Sequence, residues 1–451
     1  MTTTEIGAAM TAEEIVSLTR RHSIFSWSAQ AGLNPIPIVR GEGIYFWDAA
    51  GKRYIDMNSQ LMCVNIGHGN KRVIEAIKRQ ADELVYAGPG MATPVRARLG
   101  KLLADLTPGD LNHFFFTLGG AEANENAIRI ARMVTGRQKI MARYRSYHGA
   151  TAGAITLTGD PRRWANEPGI PGVVRFFDPY KYRSHLYREG DSDATFTGRC
   201  LAEIEEILAY EGPHTVAAIF IETVTGTNGL IVPPDGYLQG LREICNRYGI
   251  LLVCDEIMCG LGRTGRWFAV DHWNVVPDMI TMAKGLTSAY LPLGAVAMSD
   301  RIAAYFDKNV FYGGLTYSAH PMSLAAAEAC IQVMQDDDTM EHTRRMGRVL
   351  AELHTAMRAK HRSVGDVRSI GLFGVLELVR NRETKEPMAP FNGTSAEMQK
   401  LGAYLREQGM YVFINWNNLF TNPPLCITEE QLRQSFTIID NALEITDAAV
   451  A

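Results

Sequence analysis

Val216-Ala217-Ala218-Ile219-Phe220-Ile221-Glu222, Leu251-Leu252-Val253-Cys254-Asp255-Glu256 and Met279-Ile280-Thr281-Met282-Ala283-Lys284 decide the architecture. Each is a short apolar run that stops on a charged residue. The runs over 216–221, 250–254 and 279–282 are too short for ordinary helices and show no polar alternation, the pattern of strands covered on both faces. Similar strands are expected at 113–116, 139–142, 173–177 and 295–298. Between and around them the period lengthens to that of helices, at 71–85, 94–106, 121–134, 200–209 and 236–247. Thr93 and Pro94 mark one helix start, and Gly136 marks one helix end. Strands alternating with helices imply an α/β fold with a mostly parallel, doubly wound sheet.

This pattern spans residues 71–334, which we expect to form a large domain. Residues 1–70 contain short strands with glycine turns, at Gly41-Glu42-Gly43 and Ala50-Gly51-Lys52. Residues 335–451 read as helix, strand, helix, strand, helix. The two flanks are expected to build one smaller α+β domain.

The composition narrows the function. Of 451 residues, 46% are hydrophobic and 21% charged, and 45 Lys and Arg stand against 49 Asp and Glu for a net charge of −4. That balance lacks the basic excess of a nucleic-acid or membrane-surface binder. No apolar run approaches the ~20 residues of a membrane helix, and the N-terminus carries no basic segment followed by an apolar one. The seven cysteines have no paired short spacing, and Cys254 and Cys259 lack the companion ligands of a zinc site. Reduced thiols in a cytoplasmic protein, with no metal, are expected.

The chemistry lies where the runs end. In open α/β sheets ligands bind beyond the carboxyl ends of the strands, so Glu222, Asp255 and Lys284 should converge there. Gly119-Gly120-Ala121-Glu122-Ala123-Asn124 follows the 113–116 strand and opens a helix. Backbone N–H groups left bare by small residues at a helix start suit a phosphate. Gly260-Leu261-Gly262-Arg263-Thr264-Gly265 matches G-x-G-x-x-G, and a dinucleotide there would make the chain a nicotinamide dehydrogenase. However, Asp-Glu-Ile-Met-Cys separates it from its strand, and no helical period follows. Leu251 to Glu256 is similar to the acidic strand of a P-loop ATPase, but the chain has no G-x-x-x-x-G-K-[ST].

Taken in order, these segments resemble the class III (ω-amino acid) aminotransferases, fold-type-I enzymes dependent on pyridoxal 5'-phosphate. The likeness runs over 41–428 and adds Tyr147-His148-Gly149, Asp255-Glu256-Ile257, Ala283-Lys284-Gly285 and Thr316-Tyr317-Ser318-Ala319-His320-Pro321. The resemblance implies that Lys284 holds the cofactor aldehyde as an internal aldimine and shuttles protons, in a ping-pong reaction between amine donor and keto acid. It further implies that Asp255 pairs with the pyridine nitrogen, Tyr147 stacks on one ring face and Ile257 packs on the other. Gly119, Gly120 and Ala121 would hold the phosphate. Thr316 would reach the phosphate of a second subunit, making the active unit a homodimer, with tetramers also compatible. His148 is read either as orienting Asp255 or as a packed histidine. Glu222 is read either as supporting the cofactor site or as gating substrate.

Departures from the family bear on substrate. Many members carry an arginine five residues before Pro-Pro-Leu, where this chain has Asn418, and a tryptophan where it has Met62. An aromatic-rich stretch is replaced by small residues around Gly90. The Asn417-Asn418 pair and the 259–265 run are similar to taurine:pyruvate aminotransferases, although those enzymes retain the tryptophan. A neutral amide cannot grip a carboxylate bidentately, so substrate anions need another cation, with Arg162, Arg163 and Arg40 as candidates. The expected reaction moves the amino group of taurine, β-alanine or a related ω-amine to pyruvate. An aminomutase, epimerase or lyase would share Lys284 and Asp255.

Overall fold

The computed structural model describes residues 10–450. Seven strands form the central sheet: β1 (His113–Thr117), β2 (Lys139–Arg143), β3 (Val173–Phe176), β4 (Val216–Glu222), β5 (Leu251–Asp255), β6 (Met279–Met282) and β7 (Gly294–Met298). Their order is β1-β7-β6-β5-β4-β2-β3. β7 pairs antiparallel with both β1 and β6, and every other pairing is parallel, so the sheet is mixed but mostly parallel, as expected.

The continuous apolar runs are explained by two covered faces. Met141, Ile219, Ile221, Leu252, Cys254, Ile280 and Met282 point into one buried cluster. Their sequence neighbours Ile140, Ala142, Ala218, Phe220, Leu251, Val253 and Met279 point into a second cluster on the opposite face. The period of two survives, but both phases are apolar. Helix Gly120–Thr135 lines the second cluster through Ala123, Ala127, Ile128 and Ile130 and ends on Gly136 in the left-handed region. Helix Pro94–Ala104 starts as its sequence suggests, with the Thr93 hydroxyl accepting from Arg96 N at 3.3 Å.

Both flanks supply a smaller layer. Strands Ile38–Glu42, Tyr45–Asp48 and Arg53–Asp56 are completed by Met410–Tyr411, which pairs in parallel with Arg53–Asp56. Nearby, Val364–Ile370 and Phe373–Asn381 form a hairpin that pairs with Asn418–Thr421. One strand was expected where this hairpin lies. It turns at Gly371, whose φ of +58° admits no β-carbon, since one would lie 2.5 Å from Thr264 C. Helices Thr339–Lys360, Ala396–Glu407 and Glu429–Asp447 cover this layer around Leu350, Leu401, Leu432, Phe436 and Ile439.

The two layers share packing: Phe373, Val375 and Phe420 enter the main core. Arg263 locks the junction. Its fully buried guanidinium donates to Leu372 O at 3.0 Å, Pro423 O at 2.5 Å, Ser59 Oγ at 3.1 Å and Asn65 Oδ1 at 3.1 Å. The glycine-rich run around it is therefore a structural loop. Leu261 N donates to Trp267 O and Gly262 N to Arg266 O, and only the single turn Ala269–His272 follows. With no helix start to receive a pyrophosphate, the dehydrogenase reading of residues 260–265 fails. Among the described residues, no helix is long and apolar enough to cross a membrane.

Candidate active site

Strand register brings the expected charges together. Glu222 at the end of β4 is level with Asp255 at the end of β5, which is level with Thr281 on β6. Lys284 follows β6 by two residues. Asp255 is 3% exposed and braced from three sides. Its Oδ2 accepts from Asn124 Nδ2 at 2.8 Å and lies 2.8 Å from His148 Nδ1, while its Oδ1 accepts from Ile257 N at 3.0 Å. Asn124 also donates to the His148 carbonyl at 2.6 Å, fixing that segment to the helix. The His148 ring packs edge-on against Phe220 at 5.1 Å, so it is both packed and in contact with Asp255. Glu222, equally buried, accepts from Tyr147 N at 3.0 Å and Gly226 N at 2.7 Å. Burial raises its pKa. Its contacts are structural: it sets the backbone that carries Tyr147.

The helix start beside these groups is bare. Gly119 caps Gly120–Thr135 with no side-chain hydrogen bond to the first turn. A β-carbon on Gly120 would lie 2.6 Å from Ile257 Cδ1. Glycine thus lets Ile257 press against the first turn, with part of that side chain open to the crevice.

Lys284 is partly exposed to the crevice, with a backbone φ of +41° that few side chains adopt. Among the described residues its Nζ has no hydrogen bond or ion pair. Desolvation lowers its pKa, against the opposing pull of Cys63, Asp255 and Glu222. Across the crevice Tyr147 is half-buried, and desolvation raises its pKa. Arg162 lies 3.7 Å over its ring and Trp27 meets its edge at 6.2 Å.

The residues flagged for substrate are placed less simply. Arg162 is occupied: its Nε lies 2.9 Å from Asp160 Oδ2, and Nη2 donates to Thr227 Oγ1 at 2.8 Å. Arg163 pairs with Glu167 at 3.1 Å, and Arg40 pairs with Glu42 on an exposed strand. Asn418 is 1% exposed, its amide turned to Asn415 O at 3.3 Å. Met62 is also 1% exposed and belongs to the main core, so it adds no open surface. Gly90 is exposed, with free space where a β-carbon would lie. Thr316 is exposed, and its carbonyl accepts from Tyr86 Oη at 2.8 Å.

Three contacts escape sequence reasoning. Asn124 stands one helical turn past Gly120, a spacing that places it on the same face. Trp27 and Arg145 give no local signal, because their partners are distant in the chain.

The site fits pyridoxal phosphate. The uncapped helix start offers amides to a phosphate, and the Asp255 carboxyl group is fixed by contacts to Asn124 Nδ2, His148 Nδ1 and Ile257 N. Lys284 has a lowered pKa and no hydrogen-bond or ion-pair partner among the described residues, and the partly exposed Tyr147 and Ile257 are anchored to Glu222 and Asp255 through their backbone N–H groups.

The family model for aminotransferase class-III matches residues 27–443. The chain is 33% identical to the taurine–pyruvate aminotransferase of Bilophila wadsworthia, covering 95% of this chain and 96% of that one. It is also 33% identical to the putrescine–pyruvate aminotransferase of Pseudomonas aeruginosa, over 92% and 91%. Among solved structures, the taurine:2-oxoglutarate aminotransferase of Bifidobacterium kashiwanohense, in complex with PLP and glutamate, superposes with a TM-score of 0.95. That match has 44% identity and covers 98% of this chain and 100% of that one.

Proposed function

The chain belongs to the class III aminotransferases, and from that premise we propose that it transfers the amino group of an ω-amine or ω-amino acid to a 2-oxo acid. Taurine, β-alanine and related amines are the proposed donors. Pyruvate is the acceptor in the names of the two curated relatives above, and 2-oxoglutarate in that of the structural neighbour. The class depends on pyridoxal 5'-phosphate, which when bound supplies an aldehyde for the amine and an electron sink for the adjacent carbanion.

The observation that carries the reading is the convergence of Lys284, the braced Asp255 and the bare helix start at one end of the sheet. In this proposal the amides at Gly119, Gly120 and Ala121 bind the phosphate. Asp255 presents its carboxyl group to the pyridine nitrogen, held in place by Asn124 and His148. Tyr147 and Ile257 restrict the ring to one plane. Lys284 Nζ removes the proton from the amine-bearing carbon and returns one to the product. Desolvation lowers the pKa of Lys284, which favours the unprotonated amine that such a step needs.

The active unit is proposed to be a homodimer. Leu84, Val85, Tyr86, Met91, Tyr312 and Tyr317 are all exposed around Thr316, an apolar area suited to a second copy of this chain. We assign a cofactor-binding unit to 71–334 and a smaller unit to the flanks. A reducing cytoplasm is the proposed location, since all seven cysteines are free.

The test is a half-reaction. Taurine added alone to PLP-loaded protein should abolish the visible absorbance of the bound cofactor, and a 2-oxo acid should restore it. Absorbance that survives every amine tested would refute transamination. Light scattering that gives one chain's mass would refute the dimer.

A further inference from the structure

Arg145 lies two residues beyond the end of β2 and two before Tyr147. Its backbone N–H donates to Asp178 Oδ2 at 2.8 Å, and its side chain makes one hydrogen bond, from Nη1 to Asn228 O at 3.1 Å. The guanidinium otherwise faces aromatic rings, with centroids at 5.0 Å for Tyr180, 5.4 Å for Phe391 and 5.8 Å for Trp416. Rings attract a cation without neutralising it.

The neighbouring charges do not neutralise it either. Arg368 pairs with Asp366 and, at 2.8 Å, with Glu377; Arg183 also pairs with Glu377. Tyr180 gives its hydroxyl to Glu377 as well. Asp178, which meets the Arg145 backbone N–H, lies 3.7 Å from Arg143, and of the three guanidiniums Arg145, Arg183 and Arg368 only Arg145 has no ion pair among the described residues. Arg145 is itself partly exposed, and the neighbouring Phe391 is 48% exposed.

Arg145 is also tied to the cofactor side of the crevice. Asn228, which accepts from it, donates to Asp160 Oδ2 at 3.1 Å, and Asp160 holds Arg162 over the Tyr147 ring. The cations nearer the crevice are spent, and Asn418 is a buried neutral amide. Resting on the transaminase reading above, we propose that Arg145 receives the distal carboxylate of a 2-oxo dicarboxylate acceptor and so determines acceptor specificity. A planar guanidinium with a free edge offers the paired N–H groups that a carboxylate takes. Pyruvate has no second carboxylate to present there.

The test uses the full-length, PLP-loaded enzyme with one amine donor and two acceptors, 2-oxoglutarate and pyruvate. Arg145→Gln should raise KM for 2-oxoglutarate by about 10- to 100-fold, the worth of a charge-assisted pair. KM for pyruvate should move by less than about twofold, and Arg145→Lys should recover part of the loss. Calorimetry of the wild-type holoenzyme should show glutarate binding more tightly than butyrate, a difference that Arg145→Gln removes. Equal shifts for both acceptors, a shift confined to KM for taurine, or glutarate binding no better than butyrate would overturn the proposal. If Arg145→Gln does not fold, the wild-type glutarate and butyrate comparison decides alone. Failure of every donor and acceptor pair to turn over would instead refute transamination, and the glutarate titration would still judge Arg145.

Discussion

The side-chain amide of Asn124 reaches Oδ2 of Asp255 at 2.8 Å, the same oxygen that faces His148 Nδ1. One helix thereby presents amides at its first turn and a brace for the carboxylate at its second. Asn124→Leu keeps the side-chain branching and removes two hydrogen bonds. We expect urea unfolding to show a loss of about 1–3 kcal/mol and PLP to dissociate faster. Unchanged PLP retention would mean that His148 and Ile257 N suffice to hold Asp255.

Lys284 is only partly exposed, and among the described residues its amine has no partner to offset the desolvation that disfavours its charge, so its presence should cost stability in the cofactor-free protein. Lys284→Ala is expected to melt no lower than wild type as apoprotein while losing turnover by about a thousandfold or more. A lower apoprotein Tm would reveal an interaction of the amine that the fold depends on.

Gly120→Ala should push Ile257 aside, because the added carbon falls 2.6 Å from its Cδ1. PLP affinity should drop, and Ile257→Val should restore part of it by removing that methyl group. A double-mutant cycle on the PLP Kd is expected to give a coupling of about 0.5–1.5 kcal/mol. Strict additivity would show that the two residues do not meet.

Arg263 satisfies four acceptors from three separate segments. Burial pushes its pKa down to about 10 without a carboxylate in contact. Arg263→Met should destabilise the fold by about 3–5 kcal/mol, measured by denaturant midpoint. A loss below about 1 kcal/mol would show that water replaces the guanidinium.

Glu256 lies behind the site, accepting from Thr223, Ala269 N and Val270 N. Burial raises its pKa from 4.5 to about 7. Below the lower value both folded and unfolded chains are protonated; between the two values only the folded chain keeps the proton. Stability from this group is therefore present at acid pH, falls as pH rises through that window, and levels off above about 7. Relative to Glu256→Gln, wild type should lose on the order of 3 kcal/mol between pH 5 and pH 8. The glutamine's altered hydrogen bonding adds an offset that is the same at both pH values. Parallel urea curves for the two proteins would contradict the shift.

Much of this arrangement is legible in the chain. The strand ends at Glu222, Asp255 and Lys284 follow from apolar runs whose two phases are both buried, a local property of the sequence. The helix start at Gly120 is equally local. What escapes is pairing over distance: Arg145 meets Trp416, and Trp27 meets Tyr147, through folding rather than spacing. Arg162 is instructive because its partner is near. Asp160 precedes a proline and caps the turn by accepting from Arg162 N at 3.0 Å, a common helix-start device. Its second use, neutralising the arginine, was there to be read. Asn418 shows the opposite limit: its neutrality is visible in sequence, but its burial within a strand is not.

The seam between Arg53–Asp56 and Met410–Tyr411 joins segments that are synthesised far apart in time. The strands over 38–56 leave the ribosome early, yet their fourth member emerges only after residue 410. While the residues between them are being made, the edge of Arg53–Asp56 stays unpaired, a ready template for the wrong neighbour. The nascent chain must therefore keep this edge quiet, or be shielded by a chaperone, until Met410–Tyr411 has emerged.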